Sequence, residues 1–463
     1  MSRDPAPEPA ASGQPPGTIA AGLPPLRAYR IAPGGTLRGE VRVPGDKSIS
    51  HRAIMLGALA DGDTTVTGFL EGADSLATLA AFRSMGVAIE GPEAGRLRIR
   101  GVGRDGLRAP SAPLDVGNAG TAMRLLCGLL AGQPFASKLV GDASLSRRPM
   151  RRVTEPLARM GADIETAEAG TAPLTIRPVS QLESIDYAMP VASAQVKSCL
   201  LLAGLYADGD TCVSEPAVTR DHTERMLATF GCRVRRERQR VCVPGGARLT
   251  AAPVEVPADI SSAAFFLVGA SIADGADLTL PAVGINPTRV GVLHILKAMG
   301  ADIAVANRRQ CGAEPVADLR VRSARLQGIE IPAAQVPLAI DEFPALFVAA
   351  ACADGETLLT GAEELRVKES DRIAVMAAGL AQLGVAAEVL RDGIRIQGRG
   401  AAPLGGGSVD SHGDHRIAMA FAMAALRASA PILVRDCANV DTSFPGFAAL
   451  AVGAGLGIDE AVA

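Results

Sequence analysis

Val43-Pro44-Gly45-Asp46-Lys47-Ser48-Ile49-Ser50-His51-Arg52, continued by Ala53-Ile54-Met55-Leu56-Gly57-Ala58-Leu59 and then by Ala60-Asp61-Gly62-Asp63-Thr64-Thr65-Val66-Thr67, makes one pass from strand to helix to strand. The strand-like run breaks at Pro44-Gly45, and a helical pattern begins at once. Lys47 and Ser48 fall at the helix start, where free backbone N–H groups and the positive end of the macrodipole favour an anion. Arg52 follows Ser48 by one turn and returns to the same face. A lysine, a hydroxyl and an arginine converging there would seat a phosphate or a carboxylate. The same residues would also suit a capped, solvated helix end.

Working outward, the pattern repeats. Ala-Asp-Gly recurs at 60–62, 207–209, 273–275 and 353–355, each time after an apolar helical run and before a β-rich run. Glycine is the expected residue just past a helix end, closing it in the left-handed conformation. A second landmark, a helix ending at glycine before another strand, appears at Gly86, Gly161, Gly231, Gly300 and Gly384. The interval of roughly 70–80 residues implies a copied supersecondary unit. The chain reads as about six units, the second and sixth degenerate, three to each of two halves. Many helices are apolar nearly all round, Ser262–Ala270 among them, which predicts helices inside and sheets outside.

Composition sets limits. At 463 residues the chain exceeds one ordinary core, and two domains are expected. With 48% hydrophobic and 21% charged residues it is globular in composition. Aromatics make up 3% and Trp is absent, so the cores are built from Ala, Val, Leu and Ile, which argues against stacking platforms for single-stranded nucleic acid. A net charge of −3 gives no general drive toward nucleic acid or an anionic membrane. No apolar run approaches the roughly 18 residues of a membrane span. Cys127, Cys199, Cys212, Cys232, Cys242, Cys311, Cys352 and Cys437 have no paired spacing and read as reduced core thiols of a cytoplasmic protein. Residues 1–30, rich in Pro and Ala, read as a disordered extension with neither signal-peptide nor transit-peptide pattern.

The helix starts carry the chemistry. Gly117-Asn118-Ala119-Gly120-Thr121 leads into Ala122-Met123-Arg124-Leu125-Leu126, with glycines that let a ligand approach the backbone. Ser193-Ala194-Gln195 opens another helix, Arg147–Arg152 is a basic knot, and Arg366–Arg372 packs five charges into seven residues at a helix start. Asp414-His415-Arg416 opens a further apolar helix. Asp341-Glu342 precedes a fully apolar run, where a carboxylate is either an N-cap or a base with an altered pKa. Cations thus accumulate at helix starts in both halves of a slightly acidic chain. Inward-pointing N-termini from two domains would focus positive potential on one cleft suited to a polyanionic substrate.

Taken together, Val43–Ser48 with Arg52, Gly117–Thr121, Arg148-Pro149-Met150, Ser193–Gln195, Arg366–Arg372 and Asp414–Arg416 closely resemble the 5-enolpyruvylshikimate-3-phosphate (EPSP) synthase family, in order from about residue 31 to the C-terminus. Ser193–Ser198 and Thr219–Glu224 are similar to its class II bacterial branch. The resemblance implies transfer of the enolpyruvyl group of phosphoenolpyruvate to the 5-hydroxyl of shikimate 3-phosphate in aromatic amino-acid (chorismate) biosynthesis. It implies an inside-out α/β barrel of two domains built from βαβαββ units, with no cofactor and no metal, and a monomer. The domains would be 31–45 plus 258–463 and an inserted 46–257, with crossings near Pro44–Asp46 and Val256–Asp259 and the site between them. By motif, shikimate 3-phosphate would meet Lys47, Ser48, Arg52, Ser193, Ala194, Gln195, Arg220, Asp341 and Lys368. Phosphoenolpyruvate would meet Lys47, Gly120, Arg148, Gln195, Arg372 and Arg416. Asp341 would be the base, with Glu369 and Lys47 supplying the acid.

Two departures from the family pattern stand out. Many relatives carry a lysine just before the Thr/Ser-Phe-Pro motif, where this chain has Asp441-Thr442-Ser443-Phe444-Pro445. Leu125 replaces a proline common in glyphosate-sensitive enzymes, while Gly120 keeps the position free of the methyl group of strongly tolerant ones; glyphosate is expected to bind. A sister transferase acting on UDP-N-acetylglucosamine would carry a catalytic Cys that the Arg147–Met150 region lacks. A P-loop is excluded by Asp46 at its second glycine. His412 and His415 read as helix-start residues rather than metal ligands, and a non-catalytic anion binder would bind without releasing phosphate.

Overall fold

The computed structural model describes residues 27–462. Of the expected N-terminal extension, residues 1–26 lie outside the described residues. Its last residues, Arg27–Arg30, belong instead to the strand Arg27–Ile31, which pairs antiparallel with both Ile432–Arg435 and Ile458–Val462. Partners some 400 residues away in sequence leave no local signal for that strand.

Six sheets carry the repeat. Leu114–Asp115, Ser137–Val140, Leu174–Arg177 and Asp163–Glu165 give its clearest form: first and second strands parallel across a helix, second and fourth antiparallel, fourth and third antiparallel. Asp186–Ala188, Thr211–Ser214, Arg240–Val243 and Arg235–Glu237 follow the same order. So do Arg38–Glu40, Asp277–Gly284, Glu314–Arg322 and Asp302–Cys311. The second unit is therefore complete. The sixth looks degenerate in sequence because Arg27–Ile31 supplies one of its strands, beside Gly407–Asp410, Ile432–Arg435 and Ile458–Val462. Likewise Leu249–Thr250 and Val254–Glu255 return to pair with Ala60–Thr67 in the first unit.

Inside the sheets lie helices. Lys47–Leu59, Gly120–Ala131 and Ala194–Gly204 fill one half; Ile260–Ile272, Phe343–Cys352 and His415–Ala424 fill the other. Ile260–Ile272 is buried at every position, as a helix apolar all round requires. The apolar interior forms two clusters, one drawn from Tyr29–Val43 and Ala258–Ile458, the other from Ile49–Val256. Where the chain passes between them, the two crossings run side by side: Asp46 N–H donates to Pro257 C=O (2.8 Å) and Asp259 N–H to Pro44 C=O (2.9 Å).

The second set of helix ends follows the expected chemistry. After Gly86, Gly161, Gly231, Gly300 and Gly384, all at positive φ, the next amide bonds back to the carbonyl five residues earlier, as in Val87 N–H to Phe82 C=O at 3.1 Å. The Ala-Asp-Gly sites differ from expectation. The helices Lys47–Leu59, Ile260–Ile272 and Phe343–Cys352 end in extended backbone at Ala60, Ala273 and Ala353, and the glycine turns the chain two residues later.

The cysteine reading also needs correction. Cys212 and Cys242 form a disulfide, their Cα atoms 4.1 Å apart, because the antiparallel register of Thr211–Ser214 with Arg240–Val243 sets them directly opposite. A separation of 30 residues carries no spacing motif. The other six cysteines are free. No helix among the described residues is long and apolar enough to cross a membrane.

Candidate functional site

All six buried helices point their N-terminal ends at one cleft between the two apolar clusters. Its inner part, about 80 Å³, is lined by Lys47 and Ser48 of the first helix, Gly120 and Thr121 of the second, Gln195 of the third, Ser261 of the fourth, Asp341 just before the fifth and Arg416 of the sixth. Each start is fixed locally. Asp46 caps the first helix through Ile49 N–H (2.9 Å), Ser193 the third through Val196 N–H (3.4 Å), Asp259 the fourth through Ser261 N–H (2.8 Å), and Asp414 the sixth through Arg416 N–H (3.0 Å). Asp341 is not a cap: Glu342 holds the N-cap position and Asp341 turns its carboxylate into the cleft.

Basic side chains crowd this cavity: Lys47, Arg124, Arg148, Arg220, Arg289, Lys368 and Arg416, against Asp74, Asp259, Asp341, Glu364 and Glu369. Six converging helix N-termini add to the positive potential. An outer part of about 410 Å³ shares Gln195, Arg220, Asp341, Glu364 and Lys368 and opens past Ser193, Ala194 and Thr219 to an apolar shoulder of Val191, Val336, Pro337 and Ile340.

The contacts divide into three groups. Lys47 Nζ donates to Asp74 (2.9 Å) and Ser443 Oγ (2.6 Å). Arg148 donates to Asn118 Oδ1 (2.7 Å) and faces Glu369 at 3.4 Å, while Gln195 accepts from Arg124 (2.7 Å) and donates to Thr121 Oγ1 (2.9 Å). Asp341 pairs with Arg220, with Lys368 (3.4 Å) and with Arg372 (3.3 Å), and its carbonyl accepts from Arg416 (2.9 Å). Burial alone would raise the Asp341 carboxyl. Lys368, Arg220, Arg416 and Arg372 outweigh it and hold the group well below the usual carboxylate range. Glu369 is likewise lowered against its burial, by Arg372 and Arg148. His415, beside Lys47 and Arg416, is kept neutral by burial and by those charges.

Lys47, Ser48, Gly120, Arg148, Ser193, Ala194, Gln195, Arg220, Asp341, Lys368, Glu369 and Arg416 all come together at the two-part cleft. Two of the residues named from sequence stand behind it. Arg52 is buried on Thr223 Oγ1 (2.6 Å), Ser198 Oγ (2.8 Å) and the Ser48 carbonyl (2.9 Å). Arg372 is spent on Asp414 (2.9 Å), Glu369 (2.6 Å) and Asp341. The segment before Arg372 is also not one helix. A short 3₁₀ turn, Glu363–Val367, ends at Lys368 in extended backbone, and the α-helix starts at Arg372.

Sequence reasoning passed over Arg124, Asp74, Glu364, Asp259, Ser261, Arg289 and Ser443. Only Arg124 had a local signal, one turn after Gly120 on the same helix face. Ser443 occupies the neighbourhood where the family pattern offers a lysine, and it takes the Lys47 ammonium; Asp441 turns away to Arg27.

A family model described as EPSP synthase (3-phosphoshikimate 1-carboxyvinyltransferase) matches residues 31–450. A 3-phosphoshikimate 1-carboxyvinyltransferase of Alkalilimnicola ehrlichii is 70% identical over 430 residues, covering 93% of this chain and 96% of the relative. One from Halorhodospira halophila is 67% identical over 431 residues, covering 93% and 97%. The solved EPSP synthase of Acinetobacter baumannii superposes with a TM-score of 0.84 at 56% identity, over 94% of this chain and all of that one. The enolpyruvyl transferase NikO of Streptomyces tendae shares the fold, with a TM-score of 0.77 at 17% identity over 95% of this chain and all of that one.

Proposed function

The chain belongs to the EPSP synthase family, and from that premise we propose how its cleft divides the work of the family reaction. The enzyme transfers the enolpyruvyl group of phosphoenolpyruvate to the 5-hydroxyl of shikimate 3-phosphate, releases phosphate, and so serves aromatic amino-acid biosynthesis. The observation that carries the residue assignment is the meeting of six helix N-termini, with cations from both halves, around one cavity that holds an ionised Asp341.

Shikimate 3-phosphate takes the outer part. Its phosphate lies against Ser193, the Ala194 backbone, Gln195, Arg220 and Lys368, with Ser48 and Lys47 at the ring and Arg52 fixing the Ser48 turn from behind. Phosphoenolpyruvate takes the inner part, between Lys47, Gly120, Arg148, Gln195 and Arg416, with Arg372 buttressing Glu369. When the substrate phosphate draws Lys368 and Arg220 off Asp341, the carboxylate loses two of its four stabilising cations and becomes a stronger base. It then accepts the 5-hydroxyl proton as that oxygen bonds to C2 of phosphoenolpyruvate. Phosphate anions near Arg148 and Arg372 raise Glu369 in the same way, so that it takes up a proton and delivers it to the methylene carbon, with Lys47 assisting. Collapse of the adduct breaks the C2–O bond to phosphate and returns a methyl proton to Glu369, while the 5-hydroxyl proton held by Asp341 leaves with the phosphate. Arg148 and Arg416 stabilise the charge on the departing phosphate.

We also propose that the two apolar clusters are the two domains, 31–45 plus 258–463 and 46–257, and that the enzyme is a cytoplasmic monomer. Glyphosate, an anion at both ends, competes for the phosphoenolpyruvate side. A phosphate-release assay with both substrates, and with each omitted, tests the assignment beside Asp341→Asn. Release needing both substrates and falling at least about a hundredfold in the variant is expected, on the scale of general-base removal. An Asp341→Asn enzyme of parental rate would refute the role of Asp341.

A further inference from the structure

At the floor of the cleft, one guanidinium touches the sequence neighbours of Lys47, Arg220 and Asp341. Arg289 sits in the turn before the helix Gly291–Ala298, its side chain 3% exposed. Nη1 donates to Asp46 Oδ2 (3.0 Å) and to His222 Nε2 (3.2 Å), the latter with Nδ1 of the same ring on Glu314 Oε1 (2.8 Å). Nη2 donates to Asp259 Oδ1 (3.2 Å) and Ser261 Oγ (2.6 Å), and lies 3.8 Å from Glu342 Oε1.

These partners are not interchangeable surface carboxylates. Asp46 and Asp259 are the N-caps of the two helices that begin at the chain crossings, one in each half. Asp46 spends one oxygen on the Ile49 amide and the other on Arg289. Asp46 immediately precedes Lys47 and Ser48; His222 follows Arg220 by two residues; Glu342 follows Asp341. The turn that carries Arg289 is itself tied across the crossing. Asn286 Nδ2 donates to Asp221 Oδ1 and to Glu314 Oε2, both at 2.8 Å, and Arg225 donates to the Ala313 carbonyl (3.0 Å).

We propose that Arg289 is a positioning residue for the enolpyruvyl transfer, a buried fork that locks the two crossing helix caps together and thereby aims Lys47, Arg220 and Asp341 into one cleft. Its positive charge also offsets three carboxylates, Asp46, Asp259 and Glu342, that would otherwise oppose an anionic substrate from below. Asp46 gives this fork the oxygen that the cap leaves over, so removing either partner deletes this side-chain tie between the Lys47 helix start and the second half and leaves the backbone bonds of the crossing in place. A displacement of about 1 Å in such a group costs on the order of a hundredfold in rate. The inference rests on the assignment of Lys47 and Asp341 to the reaction.

The test is steady-state phosphate release by purified full-length Arg289→Met, Arg289→Lys, Asp46→Asn and Lys47→Met enzymes, each normalised to its folded fraction from far-UV circular dichroism melts. Per folded molecule, Arg289→Met should lose at least tenfold in kcat and raise KM for both substrates. Arg289→Lys should recover part of that loss, since an ammonium still reaches one cap. Asp46→Asn keeps the cap but weakens the fork, and should lose kcat in the same direction; it decides the matter if Arg289→Met does not fold. Values within threefold of the parent for Arg289→Met, or for Asp46→Asn where the former is unfolded, would overturn the proposal while Lys47→Met stays impaired. Parental activity in Lys47→Met would overturn the site assignment as well.

Discussion

Gly120 shows how closely the inner cleft is fitted. A Cβ at this position would lie 3.0 Å from Arg148 Nη1 and 3.2 Å from Arg124 Nη1, so a methyl group must push aside the flexible ends of two cations without touching backbone. Gly120→Ala should therefore leave the melting temperature nearly unchanged and raise KM for phosphoenolpyruvate severalfold. The parent should be inhibited by glyphosate and the variant less so. Parallel inhibition titrations check both; a parent unaffected at millimolar glyphosate would contradict the expected binding. At this scale the sequence is legible wherever chemistry is local. Asp46, Lys47 and Ser48 declare a helix start because cap and first turn are adjacent. Helical spacing misleads one turn further in, where Arg52 has already left the cleft for Thr223 and Ser198. Asp74 and Ser443 meet Lys47 across 27 and 396 residues, and no local pattern announces such pairs.

Among the elements, the buried helices carry titratable groups that tie stability to pH. His51 lies inside Lys47–Leu59, bonded through Nδ1 to Thr78 Oγ1 (2.7 Å) with Nε2 unpartnered. Burial first, then Lys47 and Arg52, push it down to about 3. The folded value is below the unfolded value of about 6.5, so the unfolded chain binds more protons between the two. This contribution is full above the unfolded value and fades as pH falls toward the folded one, by at most ~1.4 kcal/mol per pH unit per histidine. His415, also lowered, adds in the same direction. Urea unfolding between pH 6 and 4.5 should show stability declining as pH falls, with a shallower decline in His51→Gln. An identical slope in the variant would contradict this. Burial was legible from all-round apolarity, and the helix ends at Gly86, Gly161, Gly231, Gly300 and Gly384 from glycine spacing, but at three Ala-Asp-Gly sites the helix gives way to extended backbone two residues before the glycine. The Cys212–Cys242 bond was not, because sheet register rather than spacing brings those residues together.

For the whole molecule, the repeat predicted the architecture because each βαβαββ unit must bury its helices against its neighbours. What it hid was closure: the strands that complete the first and sixth units come from the far ends of their halves, Leu249–Glu255 and Arg27–Ile31. The central claim is that both halves aim helix N-termini and cations at one doubly anionic pair of small molecules. A crystal structure of the enzyme with shikimate 3-phosphate and glyphosate tests it most directly. The expected result is both ligands in contact within the cleft, the phosphate on Ser193, Arg220 and Lys368 and the second anion between Lys47, Gly120, Arg148 and Arg416, with Asp341 at hydrogen-bond distance from the 5-hydroxyl. Ligands bound elsewhere, or a 5-hydroxyl out of reach of Asp341, would contradict it.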